Sequence, residues 1–316
     1  MAALRAAKAR SSEPSLFEQA FTPEVLRVLD RIRLRAQHAS GDRPGHTRVR
    51  GRSDPSGTEL ERHVPYERGD DLRRIDWNVY ARLGELVTRR FVAEREVPLW
   101  FVIDASASMG PDEPHGKLDM ARAIAALLAT VALSGGDRVH LGVIPGHGAP
   151  AVSCGPLRSR RALHELRGFL AGVRLADGGA DLASGLDHLL RASRRGMVVL
   201  LSDFLCEVAL VERALDVLTT RSFEGKLIQV LSRQDRDPSW LYGHDVLIDR
   251  ETGGEFRIDP SPETFRRYEE ALLAHVRALS RAASSRGMAS ALTVTDVGLL
   301  GFLSGELPRL GLSLVR

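Results

Sequence analysis

The chain contains an apolar run, then a short loop of acidic and hydroxyl residues, and then a helix-forming segment. Residues 97–103 predict a strand buried on both faces. The loop after it reads Asp104-Ala105-Ser106-Ala107-Ser108, and residues 118–133 predict a helix. This order of strand, loop and helix is typical of open α/β sheets, in which ligands bind at the carboxyl ends of the strands.

Predicted strands and helices alternate along the rest of the chain. Strands are predicted at residues 85–92, 96–103, 138–144, 197–201, 226–231 and 290–295, with a hairpin at 245–249 and 255–258. Helices are predicted at residues 118–133, 160–170, 182–192, 208–219 and 262–283. The alternation predicts an α/β fold with a doubly wound, mostly parallel sheet of the Rossmann type, flanked by helices.

The chain divides into four predicted parts. Residues 1–20 are expected to be disordered. Residues 21–95 are expected to form an N-terminal helix/β extension packed on the main domain, with a helix starting at Thr22-Pro23-Glu24 and a mobile loop at 41–57. Residues 96–298 are the α/β domain, and 299–316 are a C-terminal tail.

Composition restricts the class of protein. The net charge is +3, and the basic residues are almost all arginine, because lysine occurs only at Lys8, Lys117 and Lys226. This charge is too small to indicate nucleic-acid binding. Cys154 and Cys206 match no zinc or redox spacing. With no apolar run of membrane-spanning length and no secretory signal, we expect a cytoplasmic protein without membrane insertion.

The loop that begins at Asp104 has the chemistry of a cation site. In an extended loop, the side chains of Asp104, Ser106 and Ser108 project to one side and offer hard oxygen ligands for Mg²⁺, or for Mn²⁺ or Ca²⁺. Asp203 follows the predicted strand 197–201 and reaches the same edge if the two strands are neighbours. The alternative for Asp203 is a helix N-cap. Asp181 is expected to be an N-cap, with metal binding as a secondary possibility.

A second unusual segment alternates acids and arginines around a tryptophan. It comprises Arg68, Gly69, Asp70, Asp71, Arg73, Asp76 and Trp77. Because arginine and carboxylate pair in a rigid bidentate geometry, a structural cluster of salt bridges is the leading interpretation. A surface for binding a partner is the alternative.

Several signatures of enzymes are missing from the sequence. It contains no phosphate-binding loop of the Gly-x-x-x-x-Gly-Lys-Ser/Thr type, no His-Glu-x-x-His and no Gly-x-Ser-x-Gly. We therefore expect a protein that is not an enzyme.

The motif Asp104-x-Ser106-x-Ser108, with Asp203 after a later strand, resembles the metal-ion-dependent adhesion site of von Willebrand factor type A (vWA) domains. Residues 66–77, which read YERGDDLRRIDW, and then Arg89-Arg90-Phe91 and Glu94-Arg95-Glu96 resemble the signature of the bacterial domain-of-unknown-function 58 (DUF58) family. The resemblance implies a vWA-like fold and a divalent cation that accepts a carboxylate from a protein partner.

The resemblance also implies an adaptor that works with a MoxR-type AAA+ ATPase in the assembly or maturation of protein complexes. The family pattern has a threonine ligand after a glycine pair, where this chain has Ala180 after Gly178-Gly179. Loss of that hydroxyl should weaken the cation site or leave a water in its place.

Two other functions fit parts of the sequence. The first is a metal-dependent hydrolase, a phosphatase or nuclease, that uses the same ion to activate water, although no convincing general base is identified. The second is an RNA-binding module that uses the arginines of residues 31–52.

Overall fold

A computed structural model describes most of the chain. The described residues are 14–29, 33–36, 48–50, 59–67, 72–92, 94–96, 98–110, 115–146, 149–193, 195–244 and 246–315. The chain forms two compact units: a larger one from residues 1–46 and 98–316, and a smaller one from residues 47–97.

The described strands and helices are numbered here in chain order. The strands are β1 (Arg33–Ala36), β2 (Arg48–Arg50), β3 (Glu59–Pro65), β4 (Val87–Val92), β5 (Glu94–Glu96), β6 (Leu99–Ala105), β7 (Val139–Pro145), β8 (Val152–Leu157), β9 (Gly196–Ser202), β10 (Phe223–Leu231), β11 (Val246–Ile248), β12 (Glu255–Arg257), β13 (Ala289–Val294) and β14 (Leu312–Val315). The helices are α1 (Leu16–Gln19), α2 (Pro23–Leu29), α3 (Trp77–Leu83), α4 (Lys117–Gly135), α5 (Leu163–Ala171), α6 (Leu182–Leu190), α7 (Val208–Thr220), α8 (Arg233–Arg236), α9 (Pro262–Ser284) and α10 (Gly298–Gly301).

Six strands of the larger unit form one sheet in the order β13-β10-β9-β6-β7-β8. All neighbours run parallel except β8, which pairs antiparallel with β7. This confirms the predicted doubly wound, mostly parallel α/β fold. Strand β8 was not predicted, because its mostly exposed residues and its Gly155-Pro156 pair lack the apolar pattern of a buried strand.

Alternate residues of β6 enter two different apolar clusters. Phe101 and Ile103 pack on the side of α4, while Trp100 and Val102 pack on the side of α6 and α7. Both faces of the strand are therefore covered, as expected for a parallel sheet with helices on each side.

After its first two turns, which carry Lys117, Asp119 and Arg122, helix α4 is almost entirely apolar, and it runs through the first of these clusters. Among the described helices it is the one that is long and apolar enough to cross a membrane, with a mean hydropathy of 1.5, but 89% of that stretch is buried inside the protein. A helix that is hydrophobic all round and buried this way is typical of the core of a large domain.

The first described residues dock on α4 through Asp119. The carboxylate of Asp119 accepts hydrogen bonds from the backbone N–H groups of Leu16 at 2.8 Å and Phe17 at 3.3 Å, and both of these side chains are buried. Residues 14–20 are thus folded against the core, which differs from the disorder expected for 1–20. Residues 1–13 lie outside the described residues.

The C-terminal segment also belongs to the larger unit. After α10 the chain continues through helical turns to Leu310, and β14 then pairs antiparallel with β1. Phe302, Leu307 and Leu310 are buried in the cluster around α4. The structure therefore differs from the predicted boundary at residue 298 between the α/β domain and a C-terminal tail. Apolar packing joins residues after 298 to the core of the larger unit.

The smaller unit contains two antiparallel pairs, β3 with β4 and β2 with β5. Helix α3 begins after Asp76, whose side chain accepts hydrogen bonds from the backbone of Asn78 and Val79. Most of the predicted loop at 41–57 lies outside the described residues, apart from β2. The predicted packing of residues 21–95 on the α/β domain stays a prediction.

Candidate functional site

Two buried carboxylates meet at one edge of the central sheet. Strands β6 and β9 are parallel neighbours with Ile103 opposite Leu201, so that the residues after these positions lie close together. Asp104 is the sixth residue of β6 and Asp203 directly follows β9; both are buried. The expectation that they share one edge is confirmed.

The predicted oxygen ligands are joined by a chain of hydrogen bonds. Asp104 Oδ1 accepts from the backbone N–H of Ser106 at 2.9 Å, and Asp104 Oδ2 accepts from the hydroxyl of Ser202 at 2.6 Å. The hydroxyls of Ser106 and Ser108 are 3.1 Å apart, and Ser108 Oγ is 3.5 Å from Asp203 Oδ1. The structure therefore brings all four predicted residues together.

The reason for this convergence differs from the predicted one. Asp104 lies within β6 rather than on the loop, because pairing with β7 continues to Ala105. Residues Ala107–Met109 form a 3₁₀ turn instead of an extended loop. The turn, and not the alternation of an extended chain, places Ser108 beside Ser106.

Burial makes the ionised form of Asp104 unfavourable. The pKa of Asp104 is raised from 3.8 to about 6, first by desolvation and second by the nearby charge of Asp203. Hydrogen bonds from Ser202 and Ser106 act in the opposite direction and lower the pKa. The edge of the sheet thus concentrates negative charge that the surrounding solvent screens poorly.

The loop after β9 is fixed by its own polar contacts. Ser202 Oγ accepts from the backbone N–H of Phe204 at 2.9 Å, and Asp203 Oδ1 accepts from that of Leu205 at 3.2 Å. The side chain of Gln229 donates to the carbonyl oxygen of Asp203 at 2.8 Å. Asp203 does not cap α7, which begins at Val208, so the alternative N-cap interpretation is wrong.

A lysine reaches the same carboxylate. Lys117 Nζ lies 2.7 Å from Asp203 Oδ2 and 3.2 Å from Asp235 Oδ2, and the lysine side chain is only 6% exposed. Asp203 is therefore neutralised by an ammonium group from the first residue of α4.

The loop before α6 is hydrogen-bonded to the loop of the two serines. The backbone N–H of Ala107 donates to the carbonyl of Gly178 at 3.1 Å, and that of Ala176 donates to Ala105 at 2.8 Å. Gly146, which follows β7, lies against the carbonyl oxygens of residues 176–178. A Cβ atom at this position would collide with them, so only glycine allows the two segments to come this close. Ala180 lines the same cavity as Asp104 and contributes a methyl group where the pattern of the resembling family has a threonine hydroxyl.

Asp181 is the N-cap of α6, as the sequence predicts. Its side chain accepts from the backbone N–H of Ser184 at 3.1 Å. Hydrogen bonds with Ser184, first with its side chain and second with its backbone, lower the pKa of Asp181. The carboxylate is exposed at the border of the cavity.

Two cavities share Ser108 in their lining. The larger, about 840 Å³, is also lined by Asp104, Ser106 and Cys206. The smaller, about 510 Å³, is lined by Lys117, Asp235 and aromatic side chains. Desolvation, followed by the charge of Asp203, raises the pKa of Cys206 to about 12, so this thiol stays protonated and is a poor nucleophile.

The described residues contain no group of three or more histidines, cysteines or acids placed to hold a metal ion. What the sheet edge offers instead is two carboxylates supplemented by two serine hydroxyls. Hydroxyl and carboxylate oxygens suit Mg²⁺ better than softer metals.

The segment of acids and arginines is only partly described. Arg68, Gly69, Asp70 and Asp71 lie outside the described residues. Asp76 is buried as the N-cap of α3, and Arg73 is exposed. Trp77 is 58% exposed and packs edge-on against Tyr80. The predicted cluster of salt bridges stays a prediction.

Sequence reasoning missed four residues that shape the site. They are Lys117, Ser202, Gln229 and Asp235. Ser202 directly precedes Asp203 and could have been noticed as another hydroxyl at the strand end. Lys117 could have been noticed as one of three lysines, but its pairing with Asp203 depends on tertiary structure.

Comparison with known proteins confirms the resemblance to the DUF58 family. The family model "Protein of unknown function DUF58" matches residues 62–278. The chain belongs to the DUF58 family. It is 36% identical over 215 residues to "Uncharacterized protein Rv1480" of Mycobacterium tuberculosis and, equally, to "Uncharacterized protein Mb1516" of Mycobacterium bovis. Each match covers 66% of this DUF58 chain and 65% of the relative, so the chain spans less than two thirds of the relatives' length.

Two solved structures resemble the DUF58 chain. One is the conserved hypothetical protein BatB from Bacteroides thetaiotaomicron, with 16% identity and a TM-score of 0.37, covering 60% of this chain and 99% of that one. The other is an aerotolerance-related membrane protein from Bacteroides fragilis, with 15% identity and a TM-score of 0.32, covering 58% and 99%.

Proposed function

We propose that this DUF58 protein is a non-enzymatic interaction module of the vWA type, which binds a carboxylate of a protein partner through a divalent cation. The observation that carries the proposal is the meeting of Asp104, Ser106, Ser108 and Asp203 at the carboxyl edge of β6 and β9. Ligand sites of open α/β sheets occur at this edge.

The residues present fit Mg²⁺ or Mn²⁺. Asp104, Ser106 and Ser108 would hold the ion, and Asp203 would assist directly or through water, since hard cations prefer oxygen ligands. The raised pKa of Asp104 supports a cation here, because a positive charge would relieve the burial of this carboxylate. When bound, the ion supplies a coordination position that a carboxylate from outside can fill.

Two residues reduce the strength of the proposed site. Ala180 supplies no oxygen from the loop before α6. Lys117 already pairs with Asp203 at 2.7 Å. We therefore expect weak, exchangeable binding of the ion, with Asp104 as the principal ligand.

The chemistry of the larger cavity supports binding rather than catalysis. The described residues that line it include the further carboxylates Asp177, Asp181 and Glu251 but no histidine, and the thiol of Cys206 is held protonated. A hydrolase would need a base to activate water near the ion. We accordingly propose that the protein is not an enzyme.

The proposed partner is a MoxR-type AAA+ ATPase, and the proposed location is the cytoplasm. The partner is implied by the resemblance to DUF58 proteins, to which the chain belongs. In this role the module would act as an adaptor in the assembly or maturation of protein complexes.

The test is co-purification of the full chain with the MoxR-type ATPase of the same organism, in Mg²⁺ and in EDTA. We expect capture in Mg²⁺ and loss of capture in EDTA and in Asp104→Ala. Asp216→Ala is the matched control for charge, because this exposed carboxylate on α7 pairs with Arg286 away from the cavity. Capture that is unchanged by EDTA and by Asp104→Ala would contradict the proposal. Phosphatase or nuclease turnover that depends on Asp104 would establish the hydrolase instead.

A further inference from the structure

Lys117 is buried between two carboxylates that follow different strands of the sheet. Its ammonium lies 2.7 Å from Asp203, after β9, and 3.2 Å from Asp235, in α8 after β10. Because only 6% of the lysine side chain is exposed, water has little access to its ammonium group. The ion pairs of Lys117 with the two carboxylates are therefore buried interactions, unlike ion pairs at an exposed protein surface.

The position of Lys117 is unfavourable for a helix. It is the first residue of α4, which follows Gly116 and has no side-chain cap. The N-terminus of a helix carries a partial positive charge and favours acidic residues. The two acids, and not the helix, thus account for a cation at this place.

The choice of lysine is also informative in this chain. Lysine occurs at three of 316 positions, while arginine supplies nearly all of the 44 basic residues. An ammonium is a compact point charge, whereas the guanidinium is a broad planar group. Lys117 therefore places at Asp203 the kind of charge that most closely imitates a small metal cation.

Both acids are held in place by other contacts. The carbonyl of Asp203 accepts from Gln229, and Asp203 Oδ1 accepts from the backbone of Leu205. Asp235 Oδ2 accepts from the backbone and the hydroxyl of Ser232, at 2.7 and 2.8 Å. The ammonium of Lys117 thus has two acceptors whose positions are fixed. It can still pair with Asp235 when it no longer contacts Asp203.

We propose that Lys117 is a tethered cation that competes with the divalent ion for Asp203 and so lowers the affinity of the site. The inference rests on the proposed function, since it concerns the same ion. Asp203 can ligate the ion fully only when the ammonium gives up its Oδ2 atom, and repulsion between the two cations opposes simultaneous occupation. The module would then release its ion, and with it the partner carboxylate, more readily than a site with a free second acid.

The test is Mn²⁺ binding to the full chain, measured by titration calorimetry and by the electron paramagnetic resonance signal of free Mn²⁺. Lys117→Met keeps an unbranched side chain that is one atom shorter and removes its charge. We expect its Kd for Mn²⁺ to be lower by about tenfold or more, which corresponds to about 1.4 kcal/mol. Lys226→Met is the matched control, because Lys226 on β10 is equally buried and pairs with Glu224 at 2.7 Å. Its Kd should equal that of the wild type.

The outcomes separate this inference from the proposed function. If wild type binds Mn²⁺ and Lys117→Met binds it equally or more weakly, the competition is refuted while the cation site stands. If neither protein binds Mn²⁺, both proposals fail. Circular dichroism checks the fold of each variant, and Lys117→Gln, which keeps a hydrogen-bond donor for Asp203, replaces the methionine variant if that one does not fold.

Discussion

Replacing Asp104 with asparagine should stabilise the protein in the absence of divalent ions. Asp104 is 4% exposed, and its pKa of about 6 lies above the ordinary value of 3.8. For a carboxyl whose folded-state pKa is raised, stability is highest below the unfolded pKa and is lost as the pH rises through the folded pKa. At neutral pH the ionised Asp104 therefore costs folding free energy, which a neutral residue of the same shape avoids.

The magnitude follows from the shift in pKa. A rise of about two units corresponds to about 3 kcal/mol of unfolding free energy at pH 7.5. Asparagine keeps one oxygen for the N–H of Ser106 and can donate to the hydroxyl of Ser202, but loses charge-assisted hydrogen bonds worth about 1 kcal/mol. We expect Asp104→Asn to be more stable than wild type by about 2 kcal/mol at pH 7.5.

Urea unfolding in EDTA measures this difference at two pH values. At pH 5 wild-type Asp104 is largely protonated, so the advantage of Asp104→Asn should fall by more than half. If the proposed cation site exists, added Mg²⁺ should stabilise wild type more than the variant, because only the wild type carries the Asp104 charge that would hold the ion. An asparagine variant that is less stable than wild type in EDTA at pH 7.5 would refute the reasoning.

Two further predictions concern other residues. Ala180→Thr restores a hydroxyl to the cavity that contains Asp104 and should lower the Kd for Mn²⁺ in calorimetry; an unchanged Kd would show that position 180 does not reach the ion. Desolvation, followed by the charges of Arg138 and Arg158, lowers the pKa of buried His140 to about 4, so the unfolded state takes up its proton first and stability is lost as the pH falls from about 6.5 to about 4. His140→Phe retains the stacking on Trp100 but has no group to protonate. Between pH 7.5 and 5, its unfolding free energy, measured with urea, should therefore fall by about 2 kcal/mol less than that of wild type. An equal fall in both proteins would contradict this prediction.

The sequence predicted most of the central sheet because its strands are continuous apolar runs. β6, β9 and β10 are buried on both faces, and such strands stand out from their polar surroundings. The edge strand β8 and the C-terminal strand β14 escaped prediction. β8 is mostly exposed, and β14 depends on pairing with β1, which local sequence does not encode.

The sequence predicted the acids and hydroxyls of the candidate site but not the lysine that pairs with one of the acids. Asp104, Ser106, Ser108 and Asp203 follow from strand ends and parallel pairing, both of which the sequence indicates. Lys117 lies far from Asp203 along the chain and begins a helix whose first turn is expected to be acidic. Its contact with Asp203 depends on how α4 packs against the sheet, and no local pattern reveals that.

The pairing of β1 with β14 has a consequence for biosynthesis. Ala36 lies opposite Leu312, so translation must reach β14 before β1 can pair with it. Contacts between such distant residues form slowly, because loop closure costs entropy before any pairing is gained. During translation the edge of β1 therefore stays open to pairing with other chains, and a fusion at the C-terminus that blocks β14 would prolong this exposure.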